Sequence, residues 1–203
     1  VTWLSIVVPT IGRPTLARMV ASVPDPTVEI VVVADTHQND VRAELKAARR
    51  LVNDRVVWLN HDAGYHCWGH PQRQKGMSEA TGRWLMFSQD DNVLVPGALD
   101  VIRRVIARQD EPRPLLFQVD NWSAGVVWKK PVLVERNVDA DCIVVPADPM
   151  KLGTWGERFQ GDYDFIVDTC RKWPFVSFCR VIISLSPERD PETRRAMQAA
   201  WTL

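Results

Sequence analysis

The sequence points to an α/β fold, a mainly parallel, doubly wound sheet with helices on both faces. Three observations carry this expectation. β-branched and aromatic runs alternate with helical stretches four times before residue 110, and such repeats close as parallel strands with right-handed crossovers. The runs are apolar at nearly every position, as strands covered on both faces must be. Each run is followed by a short polar segment, the place where open α/β sheets bind ligands.

Taken in order, residues 4–8 form a β-branched run ended by Pro9. A helix over 13–22 follows, with Pro14 near its first turn, where a missing N–H costs nothing. Residues 28–34 are the second strand. Residues 39–51 are a helix with Val41, Leu45, Ala48 and Leu51 on one stripe. Residues 56–59 are the third strand, and 72–80 a short helix stopped near Gly82. Residues 84–87 are the fourth strand, and 96–108 a further helix. The second half changes character. Strands over 115–119, 126–134 and 141–145 look antiparallel, followed by a helix over 162–172 and a strand over 175–185. Asp190 and Pro191 open a closing helix as N-cap and first-turn residue. With no linker or repeat, residues 1–203 read as a single domain whose halves, 1–110 and 111–203, differ in character.

Composition excludes several classes. Lys and Arg total 25, as do Asp and Glu, so the net charge is zero, without the basic excess of a nucleic-acid binder. No apolar stretch reaches the roughly 18 residues of a membrane span. The first eight residues lack a basic n-region and lead straight into a strand, so no secretion signal is expected. Cys67, Cys142, Cys170 and Cys179 form no CxxC pair. Together these features favour reduced thiols and a cytoplasmic location.

Among the polar segments, Gln89-Asp90-Asp91-Asn92 is the most informative. Adjacent carboxylates at a strand end repel unless a cation or salt bridge compensates. A hard divalent ion takes such oxygens and leaves positions open for phosphate. The competing reading is a solvated acidic turn before a helix. Neither GxGxxG after the first strand nor GxxxxGK[ST] occurs, which disfavours a Rossmann dinucleotide site and a P-loop. Arg13 and Arg73 suit a diphosphate through their bidentate fork, or form surface ion pairs. His66 and His70 are four apart, but Gly69 and Pro71 argue against a regular helix there, so a metal site is not expected from them.

These pieces together resemble an inverting glycosyltransferase of family two. Residues 5–10 resemble its opening strand and nucleotide loop, and 31–35 its second strand. Asn60-His61-Asp62-Ala63-Gly64 resembles its Asn-x-Gly loop, and Arg73-Gln74-Lys75-Gly76 with Ala80-Thr81-Gly82 the helix after it. Residues 87–99 resemble its Asp-x-Asp segment, and 153–165 its acceptor-side segment ending in Glu-Asp.

The resemblance implies the GT-A fold, a Rossmann-like mixed sheet, mainly parallel. It implies a nucleotide-sugar donor held by a nucleotide-binding half over 1–110, with uridine diphosphate the commonest nucleotide, and a glycan, protein or small-molecule acceptor met by an acceptor-binding half over 111–203. Carried over by motif, Pro9, Thr10, Arg13, Asp35, Gly64, Arg73 and Asp90 bind the nucleotide. Asp91 binds Mn2+ or Mg2+. Asp162 is the catalytic base, with Asp164 the other candidate, and Trp155 and Glu157 meet the acceptor. The segment 64–70 would lie over the donor, and Trp122 and Trp128 are further acceptor candidates. Each has a plainer alternative: Asp162 as a helix N-cap, Glu157 paired with Arg158 or Lys151, the tryptophans as packing.

Three positions depart from the family pattern. Gln89 stands at the first acid of Asp-x-Asp, Gly161 stands at the Glu of Glu-Asp, and residues 182–186 lack the histidine that relatives place there. Gln89 and Gly161 support an alternative, a catalytically silent protein that keeps the shell for binding or scaffolding. A sugar-nucleotide pyrophosphorylase is disfavoured, because residues 9–13 carry one glycine rather than a glycine-rich loop.

Overall fold

The computed structural model describes residues 2–35, 53–59, 67–121 and 125–187, with the backbone alone at 35 and 53–59. The strands are β1 (Leu4–Thr10), β2 (Val28–Asp35), β3 (Asn53–Leu59), β4 (Trp84–Phe87), β5 (Val93–Leu94), β6 (Leu115–Asn121), β7 (Gly125–Val127), β8 (Ile143–Pro146) and β9 (Ser177–Leu185). The helices are α1 (Thr15–Ala21), α2 (His70–Glu79), α3 (Ala98–Ala107) and α4 (Gly161–Arg171).

One sheet runs β3-β2-β1-β4-β8-β6-β9-β5, with β7 paired to β6. The first four strands are parallel, Leu4 lying between Val28 and Trp84. β8 enters antiparallel to β4, and from there antiparallel pairs dominate, apart from β6 with β9. Among the described residues, four of the eight strand pairings are parallel, so the sheet is evenly mixed and its parallel character belongs to the first half.

Strand alternation divides the core between two faces. Ile6, Val8, Ile30, Val32 and Met86 pack against Leu16, Met19 and Val20 of α1 and Ile102 of α3. Val7, Val31, Val33, Leu85 and Phe87 face the other way, toward Phe165 and Ile166 of α4. On that face α2 crosses β1 closely: a Cβ on Gly76 would collide with Val7. Behind the turn into β4, the buried Glu29 carboxylate accepts from the Ser5 hydroxyl and from Thr81 N–H, which satisfies an otherwise costly burial.

Several elements differ from expectation. Residues 126–134 hold only the end of β7, because Trp128 takes a left-handed backbone (φ 63) that ends extension. β5 is additional. Residues 140–142 form a single 3-10 turn before β8. Helix α2 begins at His70, since Pro71 sits in the first turn and needs no N–H donor there. The Gln160 residue, rather than Asp162, is the N-cap of α4. The helix over 39–51, the loop over 60–66, Trp122 and the closing helix lie outside the described residues.

Candidate functional site

The site gathers at the carboxyl ends of β1 and β4. Thr10 ends β1, and Gly12 follows with a left-handed backbone (φ 79) that an L-residue resists. Gly12 N–H donates to Thr10 Oγ1 (3.0 Å), and the Thr10 hydroxyl donates to Asp90 Oδ2 (2.7 Å). Arg13 Nη1 reaches Asp90 Oδ1 at 2.9 Å and Asp91 Oδ2 at 3.2 Å. Asp90 and Asp91 are 3% and 8% exposed, so the tetrad is no solvated acidic turn.

Each residue of the tetrad is aimed differently. The Gln89 amide donates to Asp139 (3.1 Å), away from the Asp90–Asp91 carboxylates. Asn92 Nδ2 donates to Asp141 Oδ2 (2.7 Å) and its Oδ1 accepts from the Ser186 hydroxyl (2.5 Å). Asp141 is fully buried, also accepts from Ser184 Oγ (2.8 Å), and its Oδ1 has no hydrogen-bond partner among the described residues. Burial, reinforced by the Asp139 carboxylate, pushes its pKa up to about 7, against the hydrogen bonds from Asn92 and Ser184.

The opposite wall comes from α2 and the approach to α4. Gly69 (φ 80) lets the chain press onto Pro9, where a Cβ would lie 2.9 Å from the Pro9 ring. Trp68 beside it is half exposed and left-handed (φ 47), a strained state for a bulky residue. Its carbonyl accepts from Arg73 Nη1 at 2.9 Å. Arg73 is 3% exposed, and its guanidinium lies 5.2 Å from the Trp155 ring centroid. Burial lowers its pKa, while Asp141, Asp139, Asp162 and Asp90 act in the opposite direction, so one buried cation shares its field with four carboxylates.

Asp162 stands at the second position of α4, its Oδ1 accepting from Tyr163 N–H (2.7 Å). Burial and the Asp139 charge push its pKa up to about 7, opposed by the Tyr163 N–H and by Arg73. Before it, Gly161 has no room for a side chain: a Cβ would lie 2.6 Å from Gly156 O and 2.6 Å from His70 Cδ2. A side chain at position 161, such as the glutamate expected from the Glu-Asp resemblance, would collide with these neighbours.

Asp164 is turned elsewhere. It forms a two-point ion pair with Arg158, which holds its carboxyl below the usual range, rather than approaching Lys172. Lys172 pairs with Asp168. Arg158 also meets Glu135 (2.8 Å), and Glu157 is exposed. Trp155 has both ring faces covered, by His70 (5.4 Å between centroids) and Phe165 (4.5 Å), so it offers no face for an acceptor sugar to stack on. Trp128 is buried at 2% exposure and packs on Phe178. Asp35 ends β2 on the same sheet edge as Thr10, and Gly64 lies outside the described residues. Asp139 and Asp141 escaped the sequence reading; an Asp-x-Asp spacing directly before a β-branched run was the available signal.

Among the described residues no three His, Cys, Asp or Glu side chains converge as metal ligands. Asp91, a buried carboxylate beside Asp90, has the hard oxygen chemistry for Mn2+ or Mg2+, provided phosphate and water complete the shell.

Open α/β sheets bind ligands at the carboxyl ends of their strands, and there this chain places Arg13, Asp90 and Asp91. The sequence model of Glycosyl transferase family 2 matches residues 5–136, so the chain belongs to that family. Solved structures agree on the fold. Staphylococcus aureus TarS residues 1–349 superpose with a TM-score of 0.73 at 16% identity, over 91% of this chain and 60% of that one. TarS 1–349 in complex with UDP-GlcNAc gives 0.74 at 15%, over 93% and 59%. Glucosyl-3-phosphoglycerate synthase from Mycobacterium tuberculosis, in complex with Mg2+ and uridine-diphosphate, gives 0.64 at 12%, over 98% and 76%. The chain thus spans about 60% of the TarS 1–349 length. No curated protein gives a significant sequence match. No helix among the described residues is long and apolar enough to cross a membrane.

Proposed function

We propose that this chain transfers a sugar from a nucleotide-sugar, with uridine diphosphate as the nucleotide, to an acceptor hydroxyl with inversion. The observation that carries this reading is Asp162. It is a largely buried carboxylate with a pKa of about 7, in the first turn of α4, sharing Arg73 with Asp90 of the opposite wall. Inversion needs a base on the incoming hydroxyl, and a base is most effective with a pKa near the working pH.

In this reading Asp162 accepts the acceptor proton as the hydroxyl attacks the anomeric carbon. Arg73 is aimed by Trp68 O and braced on Trp155, a fixed positive charge against the departing diphosphate. Arg13 adds a second, mobile guanidinium at the mouth. Asp35 at the end of β2 holds the base, and Pro9 and Thr10 form the rim beside it. Asp91 would hold Mn2+ or Mg2+, which supplies charge neutralisation of the diphosphate when bound. Two neighbours bear on the donor: TarS 1–349 is crystallised with UDP-GlcNAc, and the synthase with Mn2+, uridine-diphosphate and its product.

One feature favours a second reading, a silent donor-binding protein: Gln89 is committed to Asp139 rather than to a metal. Incubation with UDP-glucose and UDP-GlcNAc plus Mn2+, with UDP release as readout, tests both. UDP release abolished by Asp162→Asn supports transfer; nucleotide binding without release supports the silent reading.

A further inference from the structure

The Asp90–Asp91 pair already holds a cation of the chain's own. Arg13 Nη1 bridges the two carboxylates, at 2.9 Å from Asp90 Oδ1 and 3.2 Å from Asp91 Oδ2. The carboxylates are buried and fixed, Asp90 additionally by the Thr10 hydroxyl, whereas the Arg13 side chain is 46% exposed. The guanidinium can therefore leave toward solvent without disturbing the core.

The remaining polar groups around the tetrad are engaged. Gln89 is on Asp139, Asn92 on Asp141 and Ser186, and Ser184 on Asp141. A divalent ion taking the Asp91 Oδ2 oxygen has to displace Nη1 from both carboxylates, against the repulsion of a like charge. A diphosphate changes that balance in two ways. It brings oxygen ligands for the ion, and it offers the guanidinium another anion with matching fork geometry.

We propose that Arg13 is a resident counter-ion that keeps the Asp91 oxygen closed to divalent ions until a nucleoside diphosphate arrives, so that ion and nucleotide enter together. The proposal rests on the donor reading above, but its test does not require turnover.

Mn2+ binding is measured on the full chain by electron paramagnetic resonance of the free ion and by calorimetry, with and without UDP. The parental protein is expected to bind Mn2+ weakly alone and at least tenfold tighter with UDP. Arg13→Gln is expected to bind Mn2+ at least tenfold tighter than the parent without UDP, and to gain less from UDP. Arg13→Lys keeps the positive charge and should stay near the parent. Equal Mn2+ affinity of parent and Arg13→Gln without UDP overturns the proposal, as does an Arg13→Lys protein that behaves like Arg13→Gln. Thermal melts confirm folding, and Arg13→Met replaces the glutamine variant if that one does not fold. A protein that binds no UDP fails the donor reading, while the comparison of Mn2+ affinities alone still decides the role of Arg13.

Discussion

Ser184 Oγ donates to the buried Asp141 carboxylate across 2.8 Å, joining the last strand to the segment that precedes β8. Asp141 in turn accepts from Asn92, and Asn92 from Ser186. At the end of β9 the Ser184 and Ser186 hydroxyls brace the carboxylate loop through hydrogen bonds. The carboxylate loop is therefore held by hydrogen bonds at Asn92, while Arg13 beside it is half exposed.

Replacing Asp162 separates catalysis from stability. Asp162→Asn should keep nucleotide affinity, measured by calorimetry, and lower turnover about 100- to 10,000-fold. Its melting temperature should hold, because the N-cap of α4 is Gln160 and no cap is lost. Near-parental turnover would remove Asp162 from the role of base.

Asp164→Asn should leave turnover near the parental level, since Asp164 is committed to Arg158 on the outer side of α4. A dead Asp164→Asn beside an active Asp162→Asn in the same UDP-release assay would transfer the role two residues on.

The pH–rate profile should carry an acidic limb with an apparent pKa of about 7, the value to which burial and Asp139 push Asp162. Below it the base is protonated and activity falls; above it activity is retained until another group titrates. Arg73→Met removes a charge that favours ionised Asp162, so the limb should move to higher pH. An unmoved limb in a folded Arg73→Met protein would show that Arg73 does not act on Asp162.

Burial, with Arg73 acting in the same direction, lowers the His70 pKa to about 4 from 6.5. The folded state binds this proton less well than the unfolded chain. The resulting stability is complete above about pH 6.5 and is lost as pH falls toward 4. Denaturant titrations at pH 7.5 and 5 should show a smaller acid loss for His70→Phe than for the parent, by at most about 3 kcal/mol. Identical losses would mean that His70 is not buried as neutral imidazole.

Restoring the family glutamate should fail. Gly161→Glu drives a Cβ against Gly156 O and the His70 ring, and should destabilise by about 1–3 kcal/mol or more in urea titrations. A Gly161→Glu protein as stable as the parent would contradict this packing account.

The parallel half of the fold was legible because residues 4–8, 28–34 and 84–87 are apolar at all but Ser5 and Glu29, a pattern that few other environments require. The two residues of β5 are too short to carry a period, and their pairing with β9 is created by the chain ninety residues later. At the site, adjacency revealed Asp90 and Asp91, and motif order brought Asp162 forward. Asp139 and Asp141 were missed because their importance lies in what folds over them, Asn92 and Gln89 above all. Trp155 meets the same limit. Residue type announces a large flat ring, but only packing decides whether a face stays open.

The two-residue strand β5 also bears on how the molecule can be taken apart. It follows the carboxylate loop immediately, pairs Val93 with Leu185, and is continued by Val95 N–H on Ile183 O. The first and second halves of the chain are thus spliced beside the carboxylate loop. A fragment ending before residue 177 would retain strands β1–β4 and both arginines, yet β5 would lose its pairing strand, and Asn92 and Asp141 their Ser186 and Ser184 hydroxyls. Domain-mapping by C-terminal truncation would then report that nucleotide binding requires β9, although β9 need never touch the nucleotide.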